Sequence, residues 1–101
     1  MESLKGKLAF ITGASSGIGK ACAEQFAVNG VDLIISARRF DRIESLAEKL
    51  ERLHGVTVIP LKMDVSKKDD ISVAIERLSK EFSQIDILVN NAGVGVTTEL
   101  M

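Results

Sequence analysis

Four short apolar runs, LAFIT (8–12), VDLIIS (31–36), VTVIPLKM (56–63) and IDILVN (85–90), recur along the chain at near-regular intervals. They are rich in β-branched residues and too short for helices, which marks them as strands. Between them the apolar residues fall at helical spacing: Ile18, Ala21, Cys22 and Phe26, then Ile43, Leu46, Ala47, Leu50 and Leu53, then Ile71, Ala74, Ile75, Leu78 and Phe82. Ser66, with Asp69 three residues on, supplies an N-cap and a first-turn acid for the third helix. The order is therefore β-α-β-α-β-α-β. Strands alternating with helices are joined by right-handed crossovers into a parallel sheet, and near-continuous apolar strands fit burial on both faces.

Pro60 is the only proline and lies inside the third strand, where its missing N–H would break a ladder bond if that strand were central. The third strand is thus expected at an edge. The order 3-2-1-4 of a doubly wound α/β sheet meets this requirement, and it places the first strand's C-terminal end at the switch point where ligands bind. A four-stranded sheet of this order leaves strand four with an open edge, which predicts self-association through that edge. The segment GVGVTTELM at the C-terminus reads as weakly structured.

With 101 residues, 46% of them hydrophobic and 27% charged, residues 1–101 are expected to form a single domain. A net charge of −1 gives no overall positive field, so nucleic acid and anionic membrane are not expected partners. The apolar stretches are far shorter than the roughly 20 residues that span a bilayer, and MESLKGK carries no apolar leader; a cytoplasmic location is expected. Cys22 is the sole cysteine, which excludes a disulfide framework and a cysteine metal site, and it reads as a small buried apolar residue. His54, beside Gly55, reads as an exposed residue at a helix C-terminus.

Any anion must then be held locally, and the stretch FITGASSGIGKA (10–21) is built for that. It joins the first strand to the first helix, whose N-terminus offers unpaired N–H groups and a partial positive charge. Gly13 permits the sharp exit from the strand, Gly17 a close approach of backbone to a diphosphate, and Gly19 tight packing of helix on sheet. Ser15 and Ser16 are hydroxyls beside that phosphate position, and Ile18 opens the helix. A triphosphate-binding P-loop fails on two letters: Ala14 stands where its first glycine belongs, and Ala21 where its hydroxyl belongs. Gly13, Ser15 and Gly17 fit the spacing of a nucleophile elbow, but the only histidine, His54, sits in no evident relay with Ser15.

TGASSGIG (12–19) resembles the T-G-x-x-x-G-x-G cofactor motif of the short-chain dehydrogenase/reductase family, whose fold is Rossmann-like. NNAG (90–93) resembles that family's second signature, and MDV (63–65) its adenine-contacting segment. The resemblance covers essentially the whole chain. It implies nicotinamide dinucleotide binding, with Asp64 and the Val65 backbone on the adenine, and with Asn90, Asn91, Ala92 and Gly93 approaching the ribose and tying the sheet together. Ala37 stands where NAD-selective members carry Asp, and Arg38 and Arg39 follow. With no carboxylate to repel a 2′-phosphate and a guanidinium to bind it, NADP is favoured over NAD. The competing reading makes both arginines solvated residues in the first turn of helix two. Ser16 occupies the position where some NADP-preferring members carry a base.

The family's catalytic Ser and Tyr-x-x-x-Lys lie beyond the fourth strand, and this sequence contains no tyrosine. No catalytic residue and no metal ligand is therefore assigned. The chain is expected to be the N-terminal, cofactor-binding half of an oxidoreductase acting on an alcohol or carbonyl, inactive alone. A non-catalytic binding or scaffold module built from the same half-unit, and a longer enzyme continuing past residue 101, are the alternatives. ARRFDRIESLAEKL (37–50) resembles members that oxidise small 3-hydroxy acids.

Overall fold

In the computed structural model, which describes residues 4–15, 17–63, 72–74, 76–78, 85–91 and 96–100, the first strand lies at the middle of the sheet. Strand β1 (Leu8–Thr12) pairs in parallel with β2 (Asp32–Ala37) on one side and with β4 (Ile87–Asn91) on the other. The register sets Phe10 opposite both Ile34 and Leu88. Strand β3 (Val58–Lys62) pairs in parallel with β2, giving the expected order 3-2-1-4. Helix α1 (Gly17–Val28) links β1 to β2, and α2 (Phe40–His54) links β2 to β3.

Alternation along the strands makes two cores. Ala9, Ile11, Leu33, Ile35, Val58, Ile87 and Val89 face α1 and α2, meeting Ala23, Ala27, Ile43, Ala47 and Leu50. Phe10, Ile34 and Leu88 face the other way, against Leu78, Ile85 and Met63, with Ala74 packed at the side. Residues 72–74 and 76–78 are helical, so helical residues cover both faces. Phe10, Ile34 and Ile35 are wholly buried, each stabilising the fold by about 1.5–3 kcal/mol through removal of apolar surface from water. The proposed cap at Ser66 and Asp69, and the core positions Ile71, Ile75 and Phe82, lie outside the described residues.

Helix α1 buries a different stripe from the one its large apolar residues suggest. Gly19, Ala23 and Ala27 are its buried residues, flanked by the partly buried Cys22 and Phe26, whereas Ile18 is 60% exposed. Small residues at four-residue spacing let the helix axis come close to the sheet, and that closeness decides the rotation. On α2 the buried stripe Ile43, Leu46, Ala47 and Leu50 is the expected one, but it stops there: Leu53 is 58% exposed. His54 is exposed in the last turn, just before Gly55, whose N–H donates to the Glu51 carbonyl.

Strand β3 is an edge, as Pro60 requires. The Thr57 carbonyl accepts from the Leu33 N–H and the Met63 N–H donates to the Ala37 carbonyl, so odd-numbered residues of this segment bond toward β2. Even-numbered residues therefore point their backbone groups outward. The outward Val58 N–H donates to a Glu51 carboxylate oxygen at 3.0 Å, and Pro60, next in that row, has no N–H to satisfy. A charged side chain and a proline together close this edge to further pairing.

The opposite edge corrects the sequence-based expectation. Residues Val96–Leu100 form a fifth strand, β5, antiparallel to β4, with Asn90 opposite Thr97 and Ile87 opposite Leu100. The self-association expected through an open strand-four edge thus loses the edge it needed. The physical reason is local: VTTEL holds three β-branched residues, which favour extended backbone, and the unpaired groups of β4 offer a ready template for it.

Glu51→Ala is expected to lower stability by about 1 kcal/mol, the worth of one hydrogen bond, and to accelerate exchange of the Val58 amide; Glu51→Gln, which keeps an acceptor oxygen, should recover most of both. Urea unfolding and amide hydrogen exchange check this, and unchanged Val58 exchange in Glu51→Ala would refute the edge-sealing role.

Candidate functional site

The C-terminal ends of β1, β2 and β4 meet where the chain leaves β1 for α1. Gly13 turns out of the strand at φ +65° and Gly17 opens the helix at φ +59°, both in the left-handed region. Between them the Ala14 N–H donates to the Ser36 carbonyl at 3.0 Å, tying the turn to the end of β2. The glycines meet different demands. A Cβ on Gly13 would stand 2.6 Å from the Asn91 carbonyl oxygen, and one on Gly19 would overlap the Gly13 carbonyl and sit 3.0 Å from Asn91 Nδ2. These two sites need glycine for close packing. A Cβ on Gly17 would meet nothing within 4 Å, so its missing side chain leaves open space in front of the helix terminus.

Thr12, wholly buried at the end of β1, organises the neighbouring strand. Its Oγ1 accepts from the Asn91 N–H at 2.9 Å and donates to Asn90 Oδ1 at 3.0 Å. Asn91 Nδ2 in turn donates to the Gly13 carbonyl at 3.3 Å. Asn90 and Asn91 therefore bind β4 to β1 through their side chains as well as the ladder. Thr12 was not among the sequence-derived site residues; the available signal was a hydroxyl ending an apolar run that faces the sheet interior. Ser36, its register partner on β2, is also fully buried, and its Oγ has no hydrogen-bond partner among the described residues.

Helix α1 carries no acidic residue in its first turn, so no side chain of that turn offsets the positive end of its dipole. Ser15 is half-buried in the turn, and Ile18, in the first turn of α1, is exposed. Arg38 and Arg39 are exposed just beyond β2. They are not in the first turn of α2: Arg39 is its N-cap, in extended conformation at φ −99° and ψ 100°, with no side-chain cap hydrogen bond. The Met63 N–H, donating to the Ala37 carbonyl at 3.1 Å, brings the end of β3 to the same place. Ser16, Asp64, Val65, Ala92 and Gly93 lie outside the described residues. The arrangement fits an anion: bared backbone N–H groups, open space at Gly17, and two guanidinium groups after the adjacent strand.

Residues 7–101 match the family model for short chain dehydrogenases. An NADP-dependent 3-hydroxy acid dehydrogenase of Schizosaccharomyces pombe is 51% identical over 100 residues, covering 98% of this chain and 39% of that protein. Among solved structures, L-sorbose reductase from Gluconobacter frateurii complexed with NADPH and L-sorbose superposes with a TM-score of 0.84 at 42% identity, covering 92% of this chain and 35% of that one. An alcohol dehydrogenase from Thermococcus sibiricus complexed with 5-hydroxy-NADP gives 0.75 at 38% identity, over 81% and 35%. The chain thus spans well under half the length of the relatives it resembles. With a doubly wound sheet, a glycine turn packed onto Asn91 and this match along nearly all of its length, the chain belongs to the short-chain dehydrogenase/reductase family.

Proposed function

We propose that this chain is the NADP(H)-binding portion of an oxidoreductase that moves hydride between a nicotinamide and an alcohol or carbonyl substrate. The observation that carries the reading is the open space at Gly17, the first residue of a helix with no acid in its first turn, in a turn tied to the end of β2, after which Arg38 and Arg39 follow. There the backbone N–H groups of the turn bind the diphosphate, with Ser15, Ser16, Ile18 and Gly19 around it. Arg38 and Arg39 bind the 2′-phosphate through charge-assisted hydrogen bonds. Asp64 and Val65 meet the adenine, and Asn90, Asn91, Ala92 and Gly93 line the ribose side.

When bound, the nicotinamide supplies the hydride donor or acceptor. Three relatives support the cofactor: one is named NADP-dependent, one was solved with NADPH and one with 5-hydroxy-NADP. The Tyr-x-x-x-Lys that the family resemblance implies for the substrate oxygen has no counterpart in these 101 residues, and we read this portion as binding the dinucleotide. A small 3-hydroxy acid is the substrate class that the resemblance of residues 37–50 and the yeast relative's name support. A cytoplasmic setting is part of the proposal; among the described residues no helix is long and apolar enough to cross a membrane.

Titration with NADPH and NADH, followed by fluorescence, tests the cofactor reading: NADPH should bind at least about tenfold tighter, and Arg38→Asp should erase that preference. Equal affinities in the parent chain, or an unaltered preference in the variant, would overturn it. Gly17→Ala and Gly19→Ala should separate binding from folding. The first places a methyl in the open space and strains the turn by about 1–2 kcal/mol, weakening NADPH with the fold retained. The second drives a methyl into the Gly13 carbonyl and lowers stability by roughly 1–3 kcal/mol or more, seen in thermal unfolding.

A further inference from the structure

Ser45 is exposed on α2 and forms part of the wall of a groove of about 400 Å³ between α1 and α2. Lys20 of α1 and Arg42 and Lys49 of α2 line the same groove, with Asp41 as its single acid and Ser15 of the glycine turn in its wall. Arg42 comes three residues before Ser45 and Lys49 four after it, so both stand on the serine's face of the helix. Among the described residues none of the three cations is held in an ion pair. The Ser45 hydroxyl donates to the Asp41 carbonyl at 3.2 Å and brings no charge to the cations around it. The same oxygen carrying a phosphoryl group would bring close to two negative charges and three strong acceptors.

The surrounding sequence suits such a transfer. Arg38, Arg39 and Arg42 all precede Ser45 closely, against two acids, Asp41 and Glu44. Cations ahead of a serine complement the acidic substrate cleft of an arginine-directed kinase. The segment also opens from its N-terminal side at modest cost. Arg39, the N-cap, makes no side-chain cap hydrogen bond, and Ile43 is the only buried residue of α2 ahead of Ser45. We propose that Ser45 is a phosphoacceptor whose phosphoryl group pins α1 to α2 through Lys20, Arg42 and Lys49 and lowers affinity for the dinucleotide. In the transfer the Ser45 hydroxyl oxygen attacks the γ-phosphorus of magnesium ATP held by the kinase. The bond to the β,γ-bridging oxygen breaks, ADP leaves, and the hydroxyl proton passes to the kinase's base. The phosphate then takes charge-assisted hydrogen bonds from the three cations. Its effect on the cofactor follows from Ser15, which belongs both to the groove and to the glycine turn, so a fixed dianion in the groove repels a diphosphate in the turn. That effect alone rests on the dinucleotide reading above.

The test incubates the full chain with magnesium ATP and a purified arginine-directed serine kinase, and locates the product by mass spectrometry of the intact chain and its fragments. Ser45 should take up one phosphoryl group, Ser45→Ala should abolish that uptake, and Arg42→Gln should slow it at least about tenfold. The phosphorylated chain should unfold roughly 2–6 °C above the parent. Lys20→Gln and Lys49→Gln should each remove about half of that gain while leaving the unphosphorylated midpoint in place, and Arg52→Gln, outside the groove, should leave the gain intact. All four of these cationic side chains are exposed. NADPH affinity, followed by fluorescence, should fall about threefold to tenfold on phosphorylation. Phosphate on another residue, no uptake at Ser45, or a phosphorylated chain no more stable than the parent would overturn the proposal. Equal binding of NADPH by both forms would overturn its cofactor effect and leave the phosphoacceptor standing. Failure of the parent to bind NADPH would remove the dinucleotide reading, while uptake at Ser45 and the shift in unfolding decide the phosphoacceptor independently.

Discussion

The contact on which the other features rest is the meeting of Gly19, Gly13 and Asn91. Backbone of α1 approaches backbone of the turn that follows β1 there, and that turn approaches β4 at Asn91, with no room for a side chain on either glycine. That closeness sets the helix over the strand end, and the next residues on the same stripe, Ala23 and Ala27, are small for the same reason. A larger residue at any of the three would lift the helix from the sheet and open a gap that costs dispersion contacts along the whole interface. The consequence for chemistry is positional. A helix terminus held this near a strand end keeps its unpaired N–H groups aimed at one small volume, and the absence of a Cβ at Gly17 keeps that volume open.

Around that contact, hydrogen bonds join the ends of four parallel strands: Ala14 to Ser36 links the turn to β2, Met63 to Ala37 links β3 to β2, and Thr12 with Asn90 and Asn91 links β4 to β1. Each contributes only about 1 kcal/mol to stability. Their larger effect is on binding, because a ligand that meets pre-positioned groups does not have to order them, and ordering costs roughly 0.5–1.5 kcal/mol per flexible side chain. Among the described residues Ser36 is a buried hydroxyl with no partner, beside the satisfied Thr12. Burying an unpaired hydroxyl is unfavourable, so the ends of β1 and β2 differ in polar satisfaction although they are neighbours in register.

Strand order was legible in the sequence because its signals are local and strong. Four β-branched runs separated by helix-length intervals define parallel crossovers, and Pro60 excludes β3 from the sheet interior. The rotation of α1 was less legible. Periodicity weighs Ile18 and Phe26 heavily, whereas packing distance, which no window of sequence reports, selected Gly19, Ala23 and Ala27. Thr12 escaped because its hydroxyl finds its partner 78 residues away, on a strand whose adjacency is known only once the sheet is assembled. Strand β5 escaped for a related reason. VTTEL is polar enough to read as a tail, and what makes it a strand is the vacant edge of β4, a tertiary cause.

A chain of net charge −1 cannot attract a dinucleotide by its overall field, so recognition has to come from where its few charges stand. Exposed cations are individually weak partners in salt, since the Debye length is about 8 Å at physiological ionic strength. Selectivity for a phosphate monoester over a hydroxyl therefore needs either burial of one cation or convergence of several. Arg38 and Arg39 are exposed, which rules out the first route and favours the second. Under the proposed dinucleotide reading, preference between the two nicotinamide cofactors then rests on Arg38 and Arg39, whose place beyond β2 is set by the packing of α2 on the sheet through Ile43, Leu46, Ala47 and Leu50.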